Sequence, residues 1–239
     1  MCSSDLSLHP PSKLLYRCLA TTDLLVALVT QPLVVAIWIS VVHEQWNLCR
    51  YAYDAATITG YALCEVSFMT ITAISVDRLF ALLLGLRYRQ IVTLKRTYIT
   101  VASFWIVSSV AVIRYILDYR ILILYDSIIT PSCLVISVAS YTKIFRVLSH
   151  HQAQVQDHLQ QQPGQPNAPN MARYKKAVNS ALWVQLALVV CYAPSFIVTI
   201  VIADSKTYSS HLVVLREVAA VLVYFNSTLN PFSLLLEDW

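Results

Sequence analysis

The sequence predicts an all-α protein built as a bundle of membrane-spanning helices. Hydrophobic residues make up 57% of the 239 residues and charged residues only 13%, whereas soluble domains carry about 25% charged residues. The apolar residues form long stretches, and one helical span of a bilayer requires about 20 of them. With only 3 glycines, the chain also lacks the composition of a loop-rich or disordered protein. These observations place the chain in a lipid bilayer.

Six apolar stretches are candidate membrane spans of a single domain over residues 1–239. They cover residues 14–42, 51–84, 97–117, 120–148, 172–203 and 210–236. A Gln- and His-rich stretch at 149–171, broken by prolines, predicts a cytosolic loop. A solvated helical extension of the fourth span explains its histidines better than a metal site does, because no cysteine or carboxylate cluster completes a ligand set.

Basic residues are distributed unevenly between the two sides of these spans. Of the 17 Lys and Arg residues, only Arg50, Arg114, Arg120, Lys206 and Arg216 lie on one side. The other side carries the remaining basic residues around Lys13, in the 85–96 connection and beside the 149–171 loop. The positive-inside rule places that richer side in the cytosol. Because the number of spans is even, both ends of the chain are expected there.

Several classes of protein are disfavoured by what the sequence lacks. The six cysteines are scattered, with no CxxC and no Cys/His spacing that fits zinc. No nucleophile, base and orienting residue occur together, so we expect no catalytic site and no enzyme. A transporter typically shows internal repeats and helices broken at matched positions, and neither is found. The lipid bilayer is the expected environment, and no nucleic-acid partner is expected.

Ionisable residues within the apolar stretches are candidates for function. A carboxylate at the bilayer centre costs about 2.5–3.5 kcal/mol on insertion scales. Asp23 lies in the first span, Glu65 in the middle of the second, and the pair Asp77-Arg78 at its cytosolic end. The simplest interpretation of the pair Asp77-Arg78, called the doublet below, is an ion pair at a helix end, at the level of the lipid headgroups. The simplest interpretation of Glu65 is an interhelical hydrogen bond.

Short motifs occur along the chain in a fixed order. They are 19–24 (LATTDL), 75–79 (SVDRL), Trp105, Tyr141, 191–194 (CYAP) and Asn230-Pro231. In this order they resemble motifs of the second to seventh helices of the rhodopsin-like (class A) G-protein-coupled receptors. The segment 75–79 resembles the Asp-Arg-Tyr motif that ends the third helix of that family. The resemblance implies a seven-helix receptor bundle of which six helices are present.

On this resemblance the chain lacks the family's first helix and the C-terminal amphipathic helix. Leu234 also replaces the last residue of the family's Asn-Pro-x-x-Tyr motif. The implied function is a multi-pass plasma-membrane receptor that transmits an extracellular ligand signal to a heterotrimeric G protein. The alternatives are a truncated, non-signalling receptor fragment and, with less support, a membrane transporter.

The resemblance also assigns roles to polar residues in the membrane. The family's central polar cluster corresponds to Asp23, Ser67, Asn226, Ser227 and Asn230. In many relatives this cluster holds a sodium ion and water molecules. A water-mediated hydrogen-bond network without sodium explains the same residues equally well. Beyond this possible allosteric ion, no cofactor is expected.

The implied activation machinery lies at the cytosolic side. The G-protein switch comprises Asp77, Arg78 and Tyr141, and the activation hinge comprises Tyr192, Pro194 and Pro231. Arg78 is expected to pair with Asp77 in the inactive state. The sixth-helix acidic residue that pins this Arg in many relatives has no counterpart here, so raised basal activity is expected.

Ligand-pocket candidates lie on one face of the second span and on the last span. They are Gly60, Tyr61, Cys64, Glu65, Phe68 and Tyr224. Aminergic receptors carry an Asp at the position of Gly60 and opsins a Lys at that of Tyr224, so the resemblance disfavours amines and retinal. Glu65 remains a candidate contact for a polar or cationic ligand, and the ligand itself stays open.

The extracellular side departs from the family pattern. Cys49 resembles the Cys at the top of the family's third helix but lies about one turn too far out, and the short loop after Leu117 contains no partner for it. That loop, together with Cys133 in place of the fifth-helix Pro, resembles most the melanocortin, cannabinoid and adenosine receptor branch.

Overall fold

The computed structural model describes residues 9–117, 119–161, 188–202 and 210–237, and almost all of them are helical. The helices are α1 (Pro10–Leu25), α2 (Gln31–Val42), α3 (Trp46–Leu84), α4 (Tyr88–Ile91), α5 (Leu94–Leu117), α6 (Tyr119–Gln161), α7 (Leu188–Ile202) and α8 (Ser210–Glu237). No strand occurs in these ranges. The predicted all-α helix bundle is confirmed.

The first membrane-spanning helix is continuous from Pro10 to Val42, because one π-helical turn at Val26–Thr30 joins α1 to α2. Pro10 and Pro11 open α1, where the missing N–H groups would be unpaired in any case. Pro32 follows the π turn. A proline inside a helix clashes with the carbonyl four residues earlier, and a local π turn accommodates that clash.

Helix α3 is the axis of the bundle. It runs for 39 residues without interruption and contacts α1, α2, α5, α6 and α8. At 1.5 Å per residue it is about 58 Å long, which exceeds the roughly 30 Å hydrocarbon core of a bilayer. It begins after Glu44 (φ 55°) and ends at Gly85 (φ 49°), a left-handed conformation that glycine adopts without strain.

Among the described residues, four helical segments are long and apolar enough to cross a membrane. They are Pro10–Val42, Trp46–Leu84, Leu94–Ile113 and Ile128–Val147. Helix α6 also continues through Gln161, so the first part of the Gln- and His-rich stretch is helical. The rest of that stretch, and the first part of the span expected at 172–203, lie outside the described residues.

Large apolar side chains cover the outside of the bundle while polar ones lie inside. Leu28 and Val135 are 65% and 66% exposed, whereas Ser108 and Ser137 are buried. The Ser108 hydroxyl donates to the Ala62 carbonyl on α3 at 2.9 Å, and the Ser137 hydroxyl donates to that of Thr72 at 3.3 Å. Lipid provides no hydrophobic drive for helix association, so such interhelical hydrogen bonds and close packing hold helices together.

Gly60 brings α3 and α8 into close contact. A Cβ atom at this position would lie 2.7 Å from the Tyr224 hydroxyl oxygen and 3.3 Å from the Thr30 methyl carbon. The first distance is shorter than any ordinary van der Waals contact. Tyr224 therefore occupies the space that a side chain at position 60 would need.

This contact predicts opposite effects of one substitution in two backgrounds. Gly60→Ala is expected to lower the melting temperature of the purified protein, because overpacking against Tyr224 costs about 1–3 kcal/mol. In a Tyr224→Phe background the oxygen is gone, and the roughly 1 kcal/mol helix preference for alanine should raise the melting temperature instead. A double-mutant cycle measures this coupling. Equal shifts in both backgrounds would contradict the close contact.

Candidate functional site

A cavity of about 310 Å³ opens in the half of the bundle remote from Arg78. It lies between α2, α3, α6, α7 and α8. All six predicted ligand-pocket residues line it, namely Gly60, Tyr61, Cys64, Glu65, Phe68 and Tyr224. Its volume is at the small end of the range for ligand sites, which is about 300–1,000 Å³. Its walls are largely apolar, with Val34, Ile37 and Trp38 on α2.

The mouth of the cavity contains a polar contact that sequence analysis missed. A terminal nitrogen of Arg216 on α8 donates to the Tyr53 hydroxyl on α3 at 2.7 Å and to the Glu217 carboxylate at 3.1 Å. The three residues line the cavity. The sequence shows Arg216 only as one basic residue on the less basic side, and its separation from Tyr53 by 163 residues hides the contact.

Aromatic rings close the inner end of the cavity. Phe68 on α3 and Tyr192 on α7 stack with centroids 4.3 Å apart and ring planes 15° from parallel. The Tyr192 hydroxyl donates to the Cys64 carbonyl at 3.5 Å. Pro194 lies two residues further along α7 and removes one backbone donor from that helix. The predicted hinge residue Tyr192 is therefore in direct contact with the helix that carries the pocket candidates.

The predicted polar cluster has four members whose side chains the structure describes, and all four are buried. Asp23, Ser67, Asn226 and Ser227 are all at most 3% exposed, and the Ser67 hydroxyl donates to the Asp23 carboxylate at 2.8 Å. The side chains of Asn230 and Pro231 lie outside the described part of the chain. Among the described atoms, Asn226 Nδ2 and Ser227 Oγ have no hydrogen-bond partner. Buried polar atoms of this kind are normally satisfied by water or by an ion.

The chemistry of this cluster fits a sodium ion. The carboxylate of Asp23 and the hydroxyls of Ser67 and Ser227 supply oxygen atoms, the ligands that hard cations prefer. The Ser227 hydroxyl is buried and has no protein partner in the described residues. The same part of the chain contains no group of three or more His, Cys, Asp or Glu side chains suited to a transition metal.

Near the C-terminal end of α3, which is the predicted cytosolic end, Asp77 accepts hydrogen bonds from two hydroxyl groups. Ser12 on α1 donates to one carboxylate oxygen at 2.8 Å, and Tyr88 on α4 donates to the other at 2.6 Å. His9 packs edge-on against Tyr88, with ring centroids 5.3 Å apart. Burial, and the hydrogen bond to Asp77, raise the pKa of Tyr88 to about 12. Tyr88 is therefore a protonated donor at any cellular pH.

Arg78 points away from Asp77. Its guanidinium donates to the Tyr16 hydroxyl on α1, at 2.8 Å from Nη2 and 3.3 Å from Nε. The expected Asp77–Arg78 ion pair does not occur in this structure, in which Arg216–Glu217 is the one salt bridge between described side chains. Consecutive helical residues point about 100° apart, so the two side chains meet different partners. Tyr141, the third predicted switch residue, is buried on α6.

Sequence analysis did not identify Ser12, Tyr16 and Tyr88 as partners of this doublet. In the sequence they lie 11 to 65 residues from the member of the doublet that they contact. The sequence feature that could have suggested these three residues as partners is their position at the predicted cytosolic ends of helices. Hydroxyl-bearing side chains there lie at the same membrane depth as Asp77-Arg78.

Comparison with known proteins identifies the family. Residues 1–119 match the family described as 7 transmembrane receptor (rhodopsin family). Similar proteins include 5-hydroxytryptamine receptor 1E from Homo sapiens and from Pan troglodytes, each 30% identical over 101 residues. Mouse (Mus musculus) 5-hydroxytryptamine receptor 1D is 30% identical over the same length. The matches cover 42% of this chain and 26–27% of these receptors, so the chain spans about a quarter of their length.

These relatives are receptors and not enzymes, and they favour neither the transporter nor the non-signalling alternative. They do not support the predicted melanocortin, cannabinoid or adenosine branch, because those reported are 5-hydroxytryptamine receptors. The short Cys-free loop and Cys133 are thus poor guides to the branch. With several membrane-spanning helices, the protein is a multi-pass protein of the plasma membrane. Residues 1–119 identify the chain as a member of the rhodopsin family of seven-transmembrane receptors.

Proposed function

We propose that this chain acts as a G-protein-coupled receptor. A ligand in the cavity biases the arrangement of the helices, and the cytosolic end of α3 conveys that bias to a heterotrimeric G protein. The continuity of α3 carries the proposal. One unbroken helix lines the cavity from Tyr53 to Phe68 and holds Asp77 and Arg78 beyond it. From Phe68 to Arg78 the helix rises about 15 Å.

The side chains of the proposed switch are hydrogen-bonded to other residues of the bundle. Arg78 donates to Tyr16, while Asp77 accepts from Ser12 and Tyr88. In the proposed active state Arg78 leaves Tyr16 and contacts the G protein. The arginine retains its charge at every cellular pH, so the change is one of partner and not of protonation.

Arg78 supplies the direct test of this function. The purified chain in lipid nanodiscs is expected to accelerate nucleotide exchange on a heterotrimeric G protein, and Arg78→Ala should reduce exchange to the level of empty nanodiscs. The control is Arg50→Ala, which removes an exposed arginine from the opposite end of α3. Exchange no faster with the unsubstituted chain than with empty nanodiscs, across the major classes of G protein, would contradict the proposal.

Tyr16 is expected to restrain basal activity. Tyr16→Phe removes the acceptor for both Arg78 nitrogens while leaving the ring in place. A hydrogen bond to a charged group contributes about 1.5–3 kcal/mol, which sets the upper limit on the shift toward the active arrangement. We expect severalfold faster ligand-independent exchange. Tyr98→Phe, at a tyrosine that is 56% exposed, should leave the rate unchanged, and a similar rate for both variants would rule out the restraint.

We further propose that the polar cluster holds a sodium ion, with Asp23, Ser67 and Ser227 as its ligands. Bound there, the ion supplies a positive charge that compensates the buried Asp23 carboxylate. This is supported by the oxygen-rich lining and by the buried Ser227 hydroxyl. A water-filled hydrogen-bond network is the alternative, and it requires no specific cation.

Sodium dependence of stability separates these two possibilities. Replacing KCl by NaCl at constant ionic strength is expected to raise the melting temperature of the purified chain, because an ion that binds only the folded state stabilises it. Asp23→Asn should abolish the difference between the salts. Asp54→Asn, at an exposed position, should preserve it. Identical melting in both salts would favour the water network.

The names of the relatives provide one candidate ligand, 5-hydroxytryptamine, which is an amine. The expectation from Gly60 pointed away from amines, because that position has no carboxylate.

A further inference from the structure

The chain turns from α4 into α5 at a strongly basic corner, residues 87–98, called the α4–α5 corner below. Its four exposed basic side chains are Arg87, Arg89, Lys95 and Arg96. The sequence contains no Asp or Glu from 78 to 117. The carboxylate that precedes this stretch, Asp77, is buried and accepts hydrogen bonds from two hydroxyl groups. No acidic residue in this stretch of the chain therefore offsets the positive charge of the corner.

Hydrogen bonds hold the two sides of the α4–α5 corner together. Arg96 Nη1 donates to the Ile91 carbonyl at 2.8 Å, which ties the first turn of α5 to the last residue of α4. The Thr97 amide and hydroxyl both donate to the Thr93 carbonyl, at 3.1 and 3.2 Å. A guanidinium has five N–H donors, so Arg96 keeps most of them for a further acceptor. The basic side chains are thus presented by a folded turn.

The basic residues of α5 stand at the head of an apolar stripe on the same helix. The stripe consists of Ile99, Ile106, Val110 and Ile113, each 50% exposed or more. At 100° per residue, all four lie within about 60° of Lys95 around the helix axis. The segment Leu94–Ile113 is long and apolar enough to cross a membrane. Lys95 and Arg96 therefore lie at the level of the lipid headgroups, above side chains that face the hydrocarbon.

This combination of charge and apolar surface favours a lipid over a cytosolic protein as the partner. A protein that approaches from the cytosol can meet the basic side chains, but the stripe below them is buried in the hydrocarbon core. A lipid with an anionic headgroup meets both, because its headgroup and its acyl chains occupy the same two depths. Exposed Leu94 and Tyr98 extend the apolar surface beside the basic residues.

From these observations we propose that the α4–α5 corner binds the headgroup of a lipid that carries several phosphate groups, while an acyl chain lies along the stripe. Arg89, Lys95 and Arg96 donate to the phosphate oxygens, and arginine suits this contact because its planar group can donate two parallel hydrogen bonds. Several basic side chains in one turn match a headgroup with several phosphates better than one with a single charge. The site is separate from the ligand cavity and from the proposed switch.

The test compares lipids at equal surface charge. The full chain is melted in phosphatidylcholine nanodiscs that contain either phosphatidylserine or phosphatidylinositol bisphosphate, with the amounts adjusted to the same total lipid charge. The bisphosphate lipid is expected to raise the melting temperature more, because a ligand that binds the folded state stabilises it. Equal melting temperatures would indicate diffuse attraction to a charged surface and overturn the proposal.

A soluble headgroup separates the lipid from free phosphate. Inositol trisphosphate, added to phosphatidylcholine nanodiscs at the same concentration as the bisphosphate lipid, carries the phosphates without acyl chains. We expect it to give a smaller shift in melting temperature than the lipid does. A full shift with the soluble compound would overturn the assignment to a lipid.

Substitutions then assign the preference to the α4–α5 corner. In the double variant Arg89→Gln/Lys95→Gln, the bisphosphate lipid content that gives half of the maximal shift should rise about tenfold or more, because charge-assisted hydrogen bonds are lost. The matched control, Lys143→Gln/Arg146→Gln, removes two exposed basic residues from α6 on the same predicted cytosolic side and should retain the preference. The charge-preserving variant Arg89→Lys/Lys95→Arg should retain most of it. An unchanged preference in the first variant, or an equal loss in the control, overturns the proposal.

These melting experiments contain no G protein, so their outcome does not depend on the proposed receptor function. Nucleotide exchange measured with the same variants distinguishes a lipid site from a protein contact. Slower exchange in Arg89→Gln/Lys95→Gln with an intact lipid preference would identify the corner as a contact for the G protein and contradict the lipid site.

Discussion

A carboxylate buried inside a lipid-embedded bundle is cut off from bulk water, so hydrogen bonds from neighbouring helices are needed to stabilise it. Asp23 meets this requirement through Ser67 at 2.8 Å, and Asp77 meets it through Ser12 at 2.8 Å and Tyr88 at 2.6 Å. Both aspartates join α1 to α3, one at the middle of α3 and one near its C-terminal end. Two contacts so far apart fix the antiparallel register of these helices.

The rest of the bundle is arranged around α3. Serine and threonine hydroxyls on the surrounding helices donate to it, as in the contacts Ser108–Ala62 and Ser137–Thr72. Large apolar side chains meanwhile face outward. In water such an exterior would drive aggregation, whereas in lipid it costs nothing. The specific contacts between helices are therefore polar or involve close packing, as at Gly60.

The same helix joins two regions that differ in their chemistry. Its first half lines a largely apolar cavity that also contains a salt bridge and the Glu65 carboxylate. Its other end carries Asp77 and Arg78, which are hydrogen-bonded to α1. Tyr192 on α7 stacks on Phe68 between these regions. A change in the packing of the cavity walls therefore acts on groups within a few helical turns of Arg78.

The sequence by itself determined the all-α class, because a backbone in lipid must satisfy its own hydrogen bonds and long apolar stretches leave only the helix. It also identified Asp23, Glu65 and Asp77-Arg78, since ionisable residues are conspicuous in an apolar segment. The tertiary structure alone decided their partners. Contacts such as Arg78–Tyr16 and Arg216–Tyr53 join residues 62 and 163 positions apart. They depend on how each helix is rotated about its own axis, and that rotation is set by packing against neighbours and not by local sequence.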